Sequence, residues 1–146
     1  PPSRKRSYVC FFLARTLGKV QDAGGVDTLL AVLDKDPTEA SFGYEDPPHV
    51  FIHKAMAPFY RAAAAYALGE IGDRRAIPSL LGVLENFDNA LEVRFAAAAA
   101  LDRLCGEGDL PRLHQLADGY PEVSTRYALL ETCSRLESHT PGTGNR

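Results

Sequence analysis

The side chains best suited to chemistry in this chain are four histidines and three cysteines. His49 and His53, in the run HVFIH, stand four apart, the spacing that sets two imidazoles on one face of a helix, with Glu45 and Asp46 close by in sequence. A catalytic zinc site commonly takes three protein ligands, and no third residue completes this set. The pair therefore reads as solvated side chains in a Pro-rich loop. His114 falls on an apolar stripe at the place that Leu81 fills in the preceding repeat, which predicts a partly buried imidazole hydrogen-bonded to a neighbour. Cys10, Cys105 and Cys133 are odd in number, widely spaced and outside any CxxC pair. They read as buried free thiols in a reducing, cytoplasmic compartment rather than as a disulfide framework or zinc knuckle. No catalytic residue, metal or cofactor is expected.

The elements that carry these residues are set by composition and period. Apolar content of 45% over 146 residues is enough for a continuous core. A formal charge of −3 gives no general attraction to phosphate backbones or acidic membranes, so neither nucleic acid nor membrane is expected as a partner. Internal repetition dominates the chain. The stretch from Arg61 to Leu84 aligns without gaps on Arg94 to Ala117, with eight identities that include Leu68 with Leu101, Pro78 with Pro111 and Leu80 with Leu113. An earlier copy, Cys10 to Leu33, matches the middle one at a longer offset, which implies an inserted segment between them, and a half copy begins at Arg126.

Each unit reads as two helices. Ala65, Leu68 and Ile71 mark the first, closed by Gly72 as a C-cap; Ile77, Leu80, Leu81 and Leu84 form the i, i+3, i+4, i+7 stripe of the second, with Asp73 and Pro78 near its start. The runs Ala62 to Ala65 and Ala96 to Ala100 combine high helix propensity with minimal bulk and read as stacking surfaces.

On these residues the chain resembles a known family. ALGEIGDRRAIPSLLGVL is similar to the short HEAT-like repeats of phycobilin lyase subunits and of many bacterial scaffold proteins, over about Cys10 to Leu136. The resemblance implies an all-α fold, a right-handed α-solenoid of stacked antiparallel helix pairs. Asp88 and Arg94 stand six apart, as do the aspartate and arginine of the HEAT signature, which implies side-chain ladders between repeats. Asp102 departs from the pattern by replacing the glycine at Gly69, and Cys10 by replacing the arginine at Arg61. Deoxyhypusine hydroxylase resembles this architecture too and holds two irons with His-Glu pairs, but none of the four histidines here is followed by glutamate.

The expected organisation is a flexible basic end at 1–6, a HEAT-like array of about three and a half units at 7–136 carrying an insertion at 36–60, and a disordered tail at 137–146. The chain opens with Pro1 and its one methionine is Met56, so it reads as a piece of a larger protein. Long aromatic insertions in repeat arrays are commonly functional or fold back as cover. The expected function is a protein–protein interaction scaffold or regulatory repeat domain, not an enzyme. Its expected binding residues are Phe42, Tyr44 and Phe51 in the insertion and Ser79, Arg112 and Gln115 on the second helices. The expected partner is another protein or an upstream domain of the parent chain. The unbroken apolar stretch from Tyr8 to Ala14 adds the expectation of self-association through the first helix. The alternative implied by the resemblance is a phycobilin lyase-like or chaperone subunit acting on a bilin-bearing protein.

Overall fold

The computed structural model describes Thr16, residues 23–34 and residues 48–139, with side chains in the long second-unit helix from position 58. Six α-helices and no strand occur among the described residues: α1 (Val26–Leu33), α2 (Pro48–Ile71), α3 (Ile77–Glu85), α4 (Leu91–Leu104), α5 (Leu110–Ala117) and α6 (Val123–His139). The period read from the sequence reappears in the backbone. A 3-10 turn introduces each second helix, at Ala23–Gly25, Arg74–Ala76 and Glu107–Asp109. Ala23, Arg74 and Glu107, which open these turns, are equivalent positions in the alignment of the three copies.

Local chemistry accounts for the helix ends. Gly72 adopts φ 80°, the left-handed conformation that closes α2, and its N–H returns to the Leu68 carbonyl at 3.2 Å. Asp73 then accepts a hydrogen bond from the Arg75 N–H at 2.9 Å and caps the following turn. Pro78 and Pro111 sit in the first turns of α3 and α5, where an amide would be unsatisfied in any case.

The packing is that of an all-α solenoid. First helices stack on one another, α2 on α4 and α4 on α6, while each second helix lies against the first helix of the following unit: α1 on α2, α3 on α4, α5 on α6. The stripe leucines Leu29, Leu80 and Leu113 are all buried, as are Leu68 and Leu101 in the first helices. The alanine runs do what small residues permit. Ala64, Ala65, Ala96, Ala97 and Ala98 are fully buried, and the helices come so close that Gly69 lies directly over the Ala100 backbone.

Two boundaries differ from expectation. Helix α2 begins at Pro48, so the later part of the segment read as an inserted loop is helix, and His49 and His53 lie on it rather than in a loop. Pro48 opens the helix without loss, and Pro58 is tolerated inside it although it removes one backbone hydrogen bond. Propensity for turns at the prolines was outweighed by an unbroken helical run. At the other end α6 continues to His139, so Glu137, Ser138 and His139 belong to the array rather than to a tail. Residues 1–6 and 140–146 lie outside the described residues.

Candidate functional site

The second helices present one face across three successive units. Thr28, Ala31 and Asp34 are exposed on and just after α1, Gly82 and Glu85 on α3, and Arg112, Gln115 and Asp118 on and just after α5. Side chains link these helices directly. The Ser79 hydroxyl donates to Asp34 Oδ2 at 3.3 Å. Arg112 forms an ion pair with Glu85, and its Nη1 donates to Gln115 Oε1 at 2.8 Å. The structure thus brings Ser79, Arg112 and Gln115 to one surface. Phe42 and Tyr44 lie outside the described residues; Phe51 lies in α2, with its side chain outside them.

His114 differs in part from expectation. Its Nε2 lies 2.7 Å from Glu137 Oε1, so the neighbouring partner is present, and the side chain is 49% exposed, further into solvent than a place on the apolar stripe implies. Position 114 is the rim of the stripe, and Leu81, its counterpart, is itself only partly buried. His114, Gln115, Asp118 and Leu130 line an open depression of about 410 Å³ between α5 and α6.

A second set of polar links joins the turns. Arg74 Nη1 donates to the Leu104 carbonyl at 2.9 Å, and its Nη2 pairs with Asp109 at 2.9 Å. Arg75 pairs with Asp73 at 2.8 Å and approaches Asp27 at 3.7 Å. The Arg75 side chain, then its backbone N–H, holds the Asp73 carboxyl below its ordinary value. Such exposed pairs are screened by solvent, so they orient neighbouring units more than they stabilise them.

Two arginines are buried. Arg61 Nε and Nη2 both donate to the Leu33 carbonyl, at 3.0 and 2.8 Å, satisfying an otherwise orphaned last-turn acceptor of α1. At the equivalent end of α3 the Leu84 carbonyl accepts instead from the Tyr120 hydroxyl at 2.8 Å. Arg94 lies beneath Phe87 with its guanidinium 5.2 Å from the ring centroid, donates to the Asn89 carbonyl at 3.1 Å and forms an ion pair with Glu122. Burial opposes the Arg94 charge, but Glu122 and Tyr120 more than offset it, so its pKa lies above the ordinary value. The same guanidinium holds the Glu122 carboxyl below its usual range. The expected Asp88–Arg94 ladder is therefore replaced: Arg94 reaches forward to Glu122, while the exposed Asp88 uses its N–H on Asn86. Position Asp102, where the pattern has glycine, accepts from Thr132 at 2.9 Å and pairs with Arg135 at 3.1 Å. Sequence reasoning missed Tyr120, Glu122, Thr132 and Arg135. The one signal available was Asp102 itself, a charge standing in a stacking position.

Chemistry at the remaining candidates is limited by surroundings. Among the described residues no group of three or more His, Cys, Asp and Glu could hold a metal ion. Cys105 and Cys133 are buried free thiols; burial, with Asp109 nearby, pushes Cys105 up to about 12, and burial raises Cys133 as well. No described helix is long and apolar enough to cross a membrane.

Comparison with known proteins agrees with this architecture. Residues 51–133 match the family model for HEAT repeats. The chain is 33% identical over 111 residues to phycocyanobilin lyase subunit alpha of Nostoc sp., covering 75% of this chain and 35% of that protein. It is 26% identical over 107 residues to deoxyhypusine hydroxylase of Schizosaccharomyces pombe, covering 73% of this chain and 28% of that one. The chain spans about a third of the length of the curated relatives it matches.

Proposed function

Because the chain belongs to the HEAT repeat family, we propose that it is a protein-binding scaffold domain whose contact surface is the polar face of its second helices. The observation that carries this reading is the continuity of that face. Asp34–Ser79 and Glu85–Arg112 links tie three helices into one surface, and Gly82 at its centre has nothing within 4 Å of where a side chain would stand. A shallow, hydrogen-bonding surface with little bulk at its centre suits an extended or helical segment of another protein laid across several units. Arginine and glutamine supply directional contacts at one end, and any aromatic anchors would come from Phe42, Tyr44 and Phe51.

The test is affinity capture with the whole chain as bait, followed by titration of the captured protein against variants. Arg112→Glu with Gln115→Ala should lower affinity at least tenfold without shifting the melting temperature. Unchanged affinity for that pair would remove this face from the proposal.

A second reading has one observation in its favour, the similarity to phycocyanobilin lyase subunit alpha over 75% of the chain. On that reading the chain acts, as a subunit, on a bilin-bearing protein. Phycocyanobilin added to the purified chain would then shift its visible absorbance. An unchanged spectrum at saturating bilin leaves the scaffold reading alone.

A further inference from the structure

Three large apolar side chains reach solvent from the turn after α3 and the first part of α4. Phe87 in the turn is 55% exposed, Leu91 at the start of the helix is 44% exposed, and Phe95 one turn later is 38% exposed. Single apolar residues on a surface are ordinary, but three at intervals of four residues make a stripe. Helices α2 and α6 both pack on α4, so the stripe stays in solvent with a neighbouring unit in place on either side.

The stripe is held in position from beneath. The Phe87 ring rests over the buried Arg94 guanidinium at 5.2 Å and meets the Tyr120 ring at 5.6 Å, the planes tilted by 44°. Arg94 is fixed in turn by the Asn89 carbonyl and Glu122, and Tyr120 by the Leu84 carbonyl. An exposed ring already pinned on one side loses little freedom when a partner covers the other, as an interface anchor requires.

Charge selects the kind of partner. Asp88 and Glu92, each next to a stripe residue in sequence, are exposed, and neither forms an ion pair among the described residues. The nearby cation, Arg94, is buried and paired with Glu122, so the border of the stripe is left negative. Nucleic acid and anionic membranes are repelled by such a border. A helix whose apolar side is flanked by lysine or arginine matches the stripe and its border together.

We propose that Phe87, Leu91 and Phe95 dock a basic amphipathic helix of another protein, apolar side down, with its cations over Asp88 and Glu92. The site is built on a first helix and the turn before it, apart from the second-helix face that carries Arg112 and Gln115.

The probe is a displayed library of helices about 20 residues long, enough for a stable isolated helix, with a fixed leucine stripe and Lys, Gln or Glu at each flanking position. Selection on the whole chain should enrich lysine at the flanks, and the best peptide should bind more weakly as salt is raised. Leu91→Ser should weaken that peptide at least tenfold with an unchanged melting temperature, because the side chain already stands largely in solvent. Phe87→Ser should do the same; if loss of the ring over Arg94 impairs folding, Leu91→Ser alone decides. Asp88→Asn with Glu92→Gln should remove both the salt dependence and the preference for lysine. Arg112→Glu with Gln115→Ala should leave the peptide's affinity unchanged, which keeps a failure of this site distinct from a failure of the second-helix face. Selection that yields no binder, or that enriches Gln or Glu at the flanks, overturns the proposal. So does a lysine-flanked peptide whose binding survives Leu91→Ser or is lost with the Arg112 and Gln115 changes. Pelleting with anionic vesicles, or dimerisation of the chain, that Leu91→Ser abolishes would make the occupant a membrane or a second copy, and either result overturns it as well.

Discussion

Gly69 and Ala100 are in such close contact that a Cβ added to the glycine would stand 2.8 Å from the Ala100 Cα. That single approach sets the spacing between the first helices of two units. Gly69→Ala should therefore destabilise the protein by about 1–3 kcal/mol, the range for overpacking a tight core, although alanine has the higher helix propensity. Gly82→Ala is the control. It lies within α3 with nothing within 4 Å, so the same change should stabilise by about 0.5–1 kcal/mol. Denaturant unfolding of both variants measures the difference, and equal signs would mean that the helix spacing is wrong.

Leu80 is completely buried, whereas Ser79 lies on the outer face with a long hydrogen bond to Asp34. Leu80→Ala should cost about 2–5 kcal/mol, as buried leucine truncations do. Ser79→Ala should stay within about 0.5 kcal/mol. Comparable losses at both positions would show that the two faces of α3 are exchanged.

Acid should weaken the fold through Glu122. The Arg94 guanidinium holds this carboxyl below its ordinary value of 4.5, so it takes up a proton less readily folded than unfolded. Its contribution is complete above the unfolded value and is lost as pH falls through the lower folded one; Asp73 behaves alike. Melting temperature should hold steady near neutrality and fall below about pH 4.5. Glu122→Gln should lower it at pH 7 and make the acid decline shallower, which calorimetry across pH would register.

Thiol chemistry should be suppressed at the two described cysteines. Cys105 is pushed up to about 12 and Cys133 is raised by burial, so neither presents appreciable thiolate at pH 8. In a Cys10→Ser background, a thiol-specific chromogenic reagent should react slowly with native protein and release two equivalents on unfolding. Rapid native labelling would contradict the packing around α4 and α6.

Architecture was readable in the sequence wherever a local rule sufficed. Leu29, Leu80 and Leu113 follow the helical period and are all buried. Gly72 occupies the left-handed position that its place after Ile71 implies, and the alanine runs are the stacking surfaces. Ser79, Arg112 and Gln115 also share a face because the repeat register places them at matching or adjacent positions on successive second helices. Prolines misled at residues 48–60, where composition suggested a loop and a helix runs from Pro48 through Pro58. A proline forbids one hydrogen bond, which the rest of a long helix can outweigh.

Sequence alone thus determined the period, the helix pairs and the apolar faces of this protein, because each depends on residues within a turn or two of one another. Only the tertiary structure decided which polar groups meet. Arg94 turns to Glu122, at the start of the next unit, rather than to Asp88. Tyr120 serves the carbonyl of Leu84 as Arg61 serves that of Leu33, and Asp102 finds Thr132 and Arg135. A long polar side chain reaches several possible partners, and the choice among them is made by the angle and separation at which neighbouring helices stack.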